Sequence, residues 1–136
     1  SHAGRQFWLA GLGDQIAHHL TDHNYRGEDD LPGTLAQLST PDPAVLLVHE
    51  PDIFVQVPER ISLTLAGHTH GGQIYIPGLT SHFIPSAYGA RFRYGHIIEE
   101  NRHLIVSGGL GTSRVPVRLG VPPEVLLVTL GGVPAT

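Results

Sequence analysis

No purely apolar run in this chain is longer than Ala44-Val45-Leu46-Leu47-Val48. Elsewhere glycine, proline or a polar residue breaks the pattern within a few positions, and the 136 residues include 17 Gly and 11 Pro. Glycine opens turn conformations and proline removes a backbone donor, so such a chain builds short strands and turns rather than long helices. A bilayer-crossing helix needs about 20 consecutive apolar residues, so no transmembrane segment is expected. The length suits a single domain with its own core. With 40% hydrophobic and 15% charged residues, the composition is that of a globular chain.

The formal net charge is -4 and no run of basic residues occurs. There is thus no electrostatic signature for nucleic acid, although a nucleotide-sized substrate stays open. The absence of cysteine excludes disulfides, thiolate metal sites and cysteine nucleophiles together, and leaves the compartment undecided. Residues 1–5 are expected to be a disordered start or an expression remnant, Ser1-His2 in particular, and residues 6–136 to form one unit.

Strands are expected at Gln6–Gly11, Ala44–Val48, Ser62–Ala66, Gln73–Ile76 (closed by Pro77-Gly78), Arg91–Ile98, Arg102–Val106 and Val125–Leu130. Leu31, Leu35 and Leu38 have helical spacing, ended by Ser39–Pro43, and Pro51–Val55 suits a short helix with proline in its first turn. The polar stretch Asp14–Asp30 is expected to be a loop with a broken helical turn. Short strands with a few helices point to a layered α/β or α+β arrangement.

Histidine is the unusual residue: ten are present, against eight Lys and Arg together. Seven have neighbours that offer no ligand spacing and belong on the surface. The other three end apolar strands. In Leu65-Ala66-Gly67-His68-Thr69-His70-Gly71-Gly72 two histidines stand two apart between glycines, and in extended backbone both address one side. In Val45-Leu46-Leu47-Val48-His49-Glu50-Pro51 a second apolar strand ends in histidine, with proline turning the chain. If the two strands are neighbours, His49 arrives beside His68 and His70, a nitrogen-rich set suited to divalent metal. Glu50, next to His49 in an extended stretch, is expected to point away.

These motifs resemble the calcineurin-like metallophosphoesterase superfamily, which ends its motif series with a strand-terminal His and then Gly-His-x-His. Leu46–Asp52 and Leu65–Gln73, followed by Gly109–Ser113, Pro116, Arg118, Gly120 and Pro123-Glu124, are similar to its bacterial YkuE-like branch of phosphohydrolases. The resemblance covers most of the chain from Phe7 onward. It implies part of a four-layer αββα sandwich, with two mixed sheets between helices. It also implies two divalent metal ions (Mn, Fe, Zn or Ni) that clamp the phosphate and supply a bridging hydroxide to hydrolyse phosphate mono- or diesters. His49 and His68 would ligate one metal and His70 the other. Arg118, Gly71 and Gly72 are candidates for contacting the substrate, a small phosphoester. In a bacterium, both the cytoplasm and the cell envelope stay open.

The departures from the family pattern are as informative. Its earlier blocks, Asp-x-His, Gly-Asp-x-x-Asp and Gly-Asn-His-Asp/Glu, are absent; Gly13-Asp14-Gln15-Ile16-Ala17 and Asp22-His23-Asn24 are coincidental near-matches. The sequence is therefore expected to be the C-terminal half of the domain, lacking the bridging aspartate and the general acid. Alone it is expected to be inactive and weakly metal-bound or metal-free. It would pair with a missing N-terminal half or self-associate through an uncovered apolar face. A non-catalytic metal-binding or assembly module that keeps the Gly-His-Thr-His turn is the alternative. A cupin is disfavoured because no glutamate occurs between Gly71 and Ile76. His19 and His23 have helical i, i+4 spacing but no accompanying glutamate, and are expected to be a surface pair.

Overall fold

A computed structural model describes residues 6–21, 24–76, 79 and 84–131. Its strands are β1 (Trp8–Gly11), β2 (His18–Thr21), β3 (Asn24–Arg26), β4 (Ala44–Leu47), β5 (Ile61–Ala66), β6 (Gly95–Glu99) and β7 (Arg102–Val106), with one α-helix, α1 (Leu31–Ala36). Five strands form one sheet in the order β1-β4-β5-β7-β6, in which β6 alone is antiparallel to its neighbour. The result is an α/β fold with short strands and few helices.

β4 lies between β1 and β5 and is the most apolar strand, because a central parallel strand is covered on both faces. Ala44, Val45 and Leu46 are all buried. Ala44 and Leu46 join Ala66, Leu104 and Val106 on the face that carries the main core, where Leu31, Ile53, Phe54 and Phe92 pack over them. On the opposite face the register aligns Leu47 with Leu65 and Leu65 with Ile105; Leu9 (63% exposed) and Leu47 (41%) remain open there.

The connections follow local chemistry. Asp30 caps α1 by accepting the Gly33 N–H at 2.9 Å, and proline occupies the first turn. Pro51–Gln56 forms a 3-10 helix that inserts Ile53 and Phe54 into the core. Arg102 donates to the carbonyls of Phe54 (3.0 Å) and Val57 (2.7 Å), satisfying the end of that helix, and its guanidinium lies 5.0 Å from the Phe54 ring centre. Phe92 meets Phe54 edge to face at 5.8 Å.

Four expectations change. The Asp14–Asp30 stretch contains the hairpin β2–β3 rather than a helical turn, with His18 paired to Arg26 and His19 to Tyr25. His19 is thus on a strand, and His23 lies outside the described residues. Among the described residues, Gln73–Ile76 makes an isolated bridge, Ile74 to Leu119, rather than a strand, because Gln73 has φ +52° and interrupts extension; Pro77-Gly78 lies outside the described residues. The segment before β6 is a 3-10 helix (Gly89–Phe92), since burying Phe92 needs a turn that a strand would not make. Val125–Leu130 joins no ladder among the described residues; Val125 and Leu126 line a shallow apolar hollow with Leu65 and Ile105, and Leu127 is 94% exposed.

Phe54→Ala removes the ring that joins the 3-10 helix to the sheet and leaves a cavity, and is expected to cost about 3–5 kcal/mol in chemical denaturation.

Candidate metal centre

All four parallel strands end at the same edge of the sheet, where α/β folds place their chemistry. The backbone pairing continues past the strand ends. Leu12 N–H donates to Leu47 C=O (3.0 Å), Val48 N–H to Leu65 C=O (3.0 Å), Gly67 N–H to His49 C=O (3.1 Å) and Ser107 N–H to Ala66 C=O (2.9 Å). These bonds set His49 beside His68, their rings 5.1 Å apart and nearly perpendicular.

Beyond Gly67 the chain leaves the extended conformation. His68 (φ +64°), His70 (+51°), Gly71 (+63°), Gly72 (+88°) and Gln73 (+52°) are left-handed, interrupted only by Thr69. A positive φ is unfavourable for residues with a Cβ, so the surroundings must hold this turn. The buried Thr69 hydroxyl donates to the Arg93 carbonyl (2.6 Å) and accepts the Gly71 N–H (3.3 Å). Gln73, also buried, donates its side-chain amide to Val115 C=O (2.7 Å) and accepts the Ser113 N–H (2.6 Å). Arg93 donates to Gly71 C=O (2.9 Å) while lying 3.7 Å from the Tyr75 ring centre. Gly71 has no room for a side chain: a Cβ would stand 2.6 Å from Val121 Cγ1.

Because the turn is left-handed, the alternation of an extended strand does not set the directions of His68 and His70. His68 instead joins His49 and Glu50, one donor atom from each lying within 4.8 Å of the others. His70 stands outside that group, facing Gly111 and Arg118. Glu50 does not point away. Its carboxylate is buried, with Oε2 accepting the Gln15 N–H (3.0 Å) and Oε1 3.8 Å from His68 Nδ1 without any hydrogen-bond partner. The glutamate at 50 could have been suspected as the only charged side chain between a buried strand and a buried proline-led turn, but extended geometry argued otherwise. Asp14 was also underrated: its charge reaches both Glu50 and His68.

The remaining candidates are engaged locally. Arg118 donates to the carbonyls of Gly108, Gly109 (3.1 Å) and Gly111 (2.9 Å), fastening the loop after β7, so an oxyanion would compete with those carbonyls for it. Gly71 N–H donates to Thr69 Oγ1 and Gly72 N–H to Thr69 C=O, both within the turn.

Burial, then the neighbouring His49 ring, holds His68 below its ordinary pKa of 6.5; burial, then Arg118, does the same to His70. Both therefore present neutral, metal-competent imidazoles at neutral pH. Glu50 is shifted upward, first by burial, opposed by the Gln15 N–H. A cation would relieve the partnerless Oε1, and two imidazoles with a carboxylate suit a divalent metal, so the residues present fit one.

No protein-family model matches the chain, and no solved structure matches it. The chain is 39% identical over 105 residues to the metallophosphoesterase YkuE of Bacillus subtilis, covering 76% of this chain and 36% of that protein. It is 34% identical over 127 residues to the phosphodiesterase YaeI of Escherichia coli, covering 93% and 42%. This chain belongs to the calcineurin-like metallophosphoesterase family, in its YkuE-like branch. A metallophosphoesterase of Aquifex aeolicus is similar as well, 33% identical over 127 residues, with 91% of this chain and 45% of that one matched. The metallophosphoesterase chain thus spans less than half the length of each of these relatives. Among its described residues no helix is long and apolar enough to cross a membrane.

Two outcomes follow for the metal-free protein. The depressed histidines bind protons more readily unfolded than folded, so their contribution to stability is complete above pH 6.5 and is lost as pH falls below it. Glu50 acts with the opposite sign at lower pH. Urea denaturation at about pH 7.5 and about pH 5.5 should show the loss, and His68→Gln should reduce it. Gly71→Ala combines a positive φ with a clash and is expected to destabilise by about 1–3 kcal/mol, read by the same titration.

Proposed function

We propose that this chain carries the histidine ligands of a metal-dependent phosphoesterase centre that hydrolyses phosphate mono- or diesters. The observation that carries this reading is the convergence of His49 and His68, with the partnerless Glu50 oxygen, at the C-terminal edge of the parallel strands. His49 and His68 would hold one divalent ion and His70 a second; manganese, iron, zinc and nickel all accept such donors. Two such ions, when bound, would supply Lewis acidity toward the phosphoryl oxygens and a water of lowered pKa.

The chain's own residues supply placement. The sheet-edge hydrogen bonds fix His49 against the Gly67 backbone, and the Thr69 and Gln73 contacts hold the left-handed turn that carries His68 and His70. Rigid backbone of this kind keeps donor groups in place without reorganisation during the reaction. The bridging carboxylate, the asparagine and the general acid called for by the family resemblance are not found in the sequence. The 136-residue chain alone is accordingly proposed to be inactive.

The test is hydrolysis of bis(p-nitrophenyl) phosphate with added Mn²⁺. A chain extended to the length of the relatives should turn over, and His68→Ala and His70→Ala should each reduce kcat/KM by at least about 100-fold, corresponding to roughly 2.7 kcal/mol of transition-state stabilisation. The 136-residue chain should show no turnover. Turnover by that chain would refute the proposed division of the centre, and full activity in His68→Ala would refute the metal role.

A further inference from the structure

Glu50 is the one buried ionisable group at the strand edge that the histidine reading leaves unused. It is 5% exposed, yet only one of its two oxygens is satisfied: Oε2 accepts the Gln15 N–H at 3.0 Å, while buried Oε1 accepts nothing. A buried carboxylate oxygen without a donor is costly, so a positive partner is expected there. The chain has no lysine. The two arginines nearest the turn, Arg93 and Arg118, are directed at backbone carbonyls instead. His68 Nδ1, at 3.8 Å, is too far to donate a hydrogen bond. Beside the Glu50 carboxylate stand two imidazoles, with one donor atom each of His49, Glu50 and His68 within 4.8 Å of one another, and the Asp14 charge is also in reach.

We propose that Glu50 is itself a metal ligand, completing with His49 and His68 a two-histidine, one-carboxylate set that holds one divalent cation on this chain alone. The proposal rests on the metal reading above and goes beyond it, since the family motifs put only histidines of this segment on the metal. Donors around a tetrahedral ion stand roughly 3.4 Å apart, so small side-chain rotations close the observed spacing. The same carboxylate also holds the Gln15 N–H, which joins the turn after β1, residues 12–15, to the ion. Cation binding should therefore steady a backbone segment that contributes no ligand of its own.

The experiment is calorimetric titration of the 136-residue chain with Zn²⁺, beside Glu50→Gln, His49→Ala and His68→Ala. Glu50→Gln keeps the volume and an acceptor for Gln15, and an unchanged Gln15 amide resonance certifies its fold. The parent should bind one Zn²⁺, and Glu50→Gln should weaken binding by more than about 100-fold, beyond the range of an outer hydrogen-bonding partner. Zn²⁺ should slow hydrogen exchange at the Gln15 amide in the parent and not in Glu50→Gln. X-ray absorption of the zinc-loaded parent should fit two imidazoles with oxygen donors, a readout that depends on no variant.

A smaller loss in Glu50→Gln, or three imidazoles on the zinc, overturns the assignment. If His49→Ala and His68→Ala abolish binding while Glu50→Gln does not, Glu50 is no ligand and the histidine reading stands. If the parent binds no Zn²⁺, the inference falls on this chain, while the phosphoesterase reading is decided separately by the extended protein's activity.

Discussion

The hydrogen bond from the Gly67 N–H to the His49 carbonyl, 3.1 Å long, carries the parallel pairing of β4 and β5 beyond the last residues of both strands. Without it the two histidines would sit on independent loops. With it, His49 and His68 inherit the spacing of adjacent strands, and their rings meet at 5.1 Å. The core beneath is arranged to keep that register. Ala44, Leu46, Ala66, Leu104 and Val106 pack on one face, so a slip of one residue would turn this whole set to the other side. Precision at the centre is thus borrowed from the burial of residues that never touch it.

Two unfavourable features gather at this edge. One is the left-handed backbone of His68, His70 and Gln73, and the other is the partnerless oxygen of Glu50. Each persists only because neighbouring contacts over-determine it. Thr69 and Gln73 are the agents in the first case, both buried and both hydrogen-bonded to distant backbone. In the second, burial of Glu50, with Oε2 held by the Gln15 N–H, leaves Oε1 without a hydrogen-bond partner and 3.8 Å from His68 Nδ1. Strain and unmet polarity are thus placed together at the edge where the metal is proposed to bind.

Much of the fold was legible because its signals are local. The apolar run at Ala44–Val48, the helical spacing of Leu31, Leu35 and Leu38 and the proline before Asp52 each specify an element through nearby residues, and β4, α1 and the 3-10 helix appear close to where they were expected. Signals that depend on distant partners were not legible. The β2–β3 hairpin hides in a polar, histidine-rich stretch with no apolar alternation. The β-prone run Val125–Leu130 has the composition of a strand but pairs with none of the described strands, since strand formation needs a neighbour as well as propensity. Arg118, a candidate for phosphate, is drawn to the carbonyls of glycines that the chain reversal brings around it.

The sequence by itself determined the family and the identity of the histidines, because Gly-His-Thr-His-Gly-Gly after an apolar strand is a dense local pattern that chance seldom makes. That glycine must stand at position 71 became plain only from its positive φ and the crowding by Val121. Tertiary structure alone decided the backbone of that turn. Expectation treated it as extended, but five of its residues are left-handed. That conformation is stabilised by Arg93, Ser113 and Val115, residues 20 or more positions away that no local rule connects to the turn. Glu50 was misplaced for the same physical reason: the direction of a side chain past a strand's end is set by what packs around it, and here that is the Gln15 backbone, delivered by a different strand.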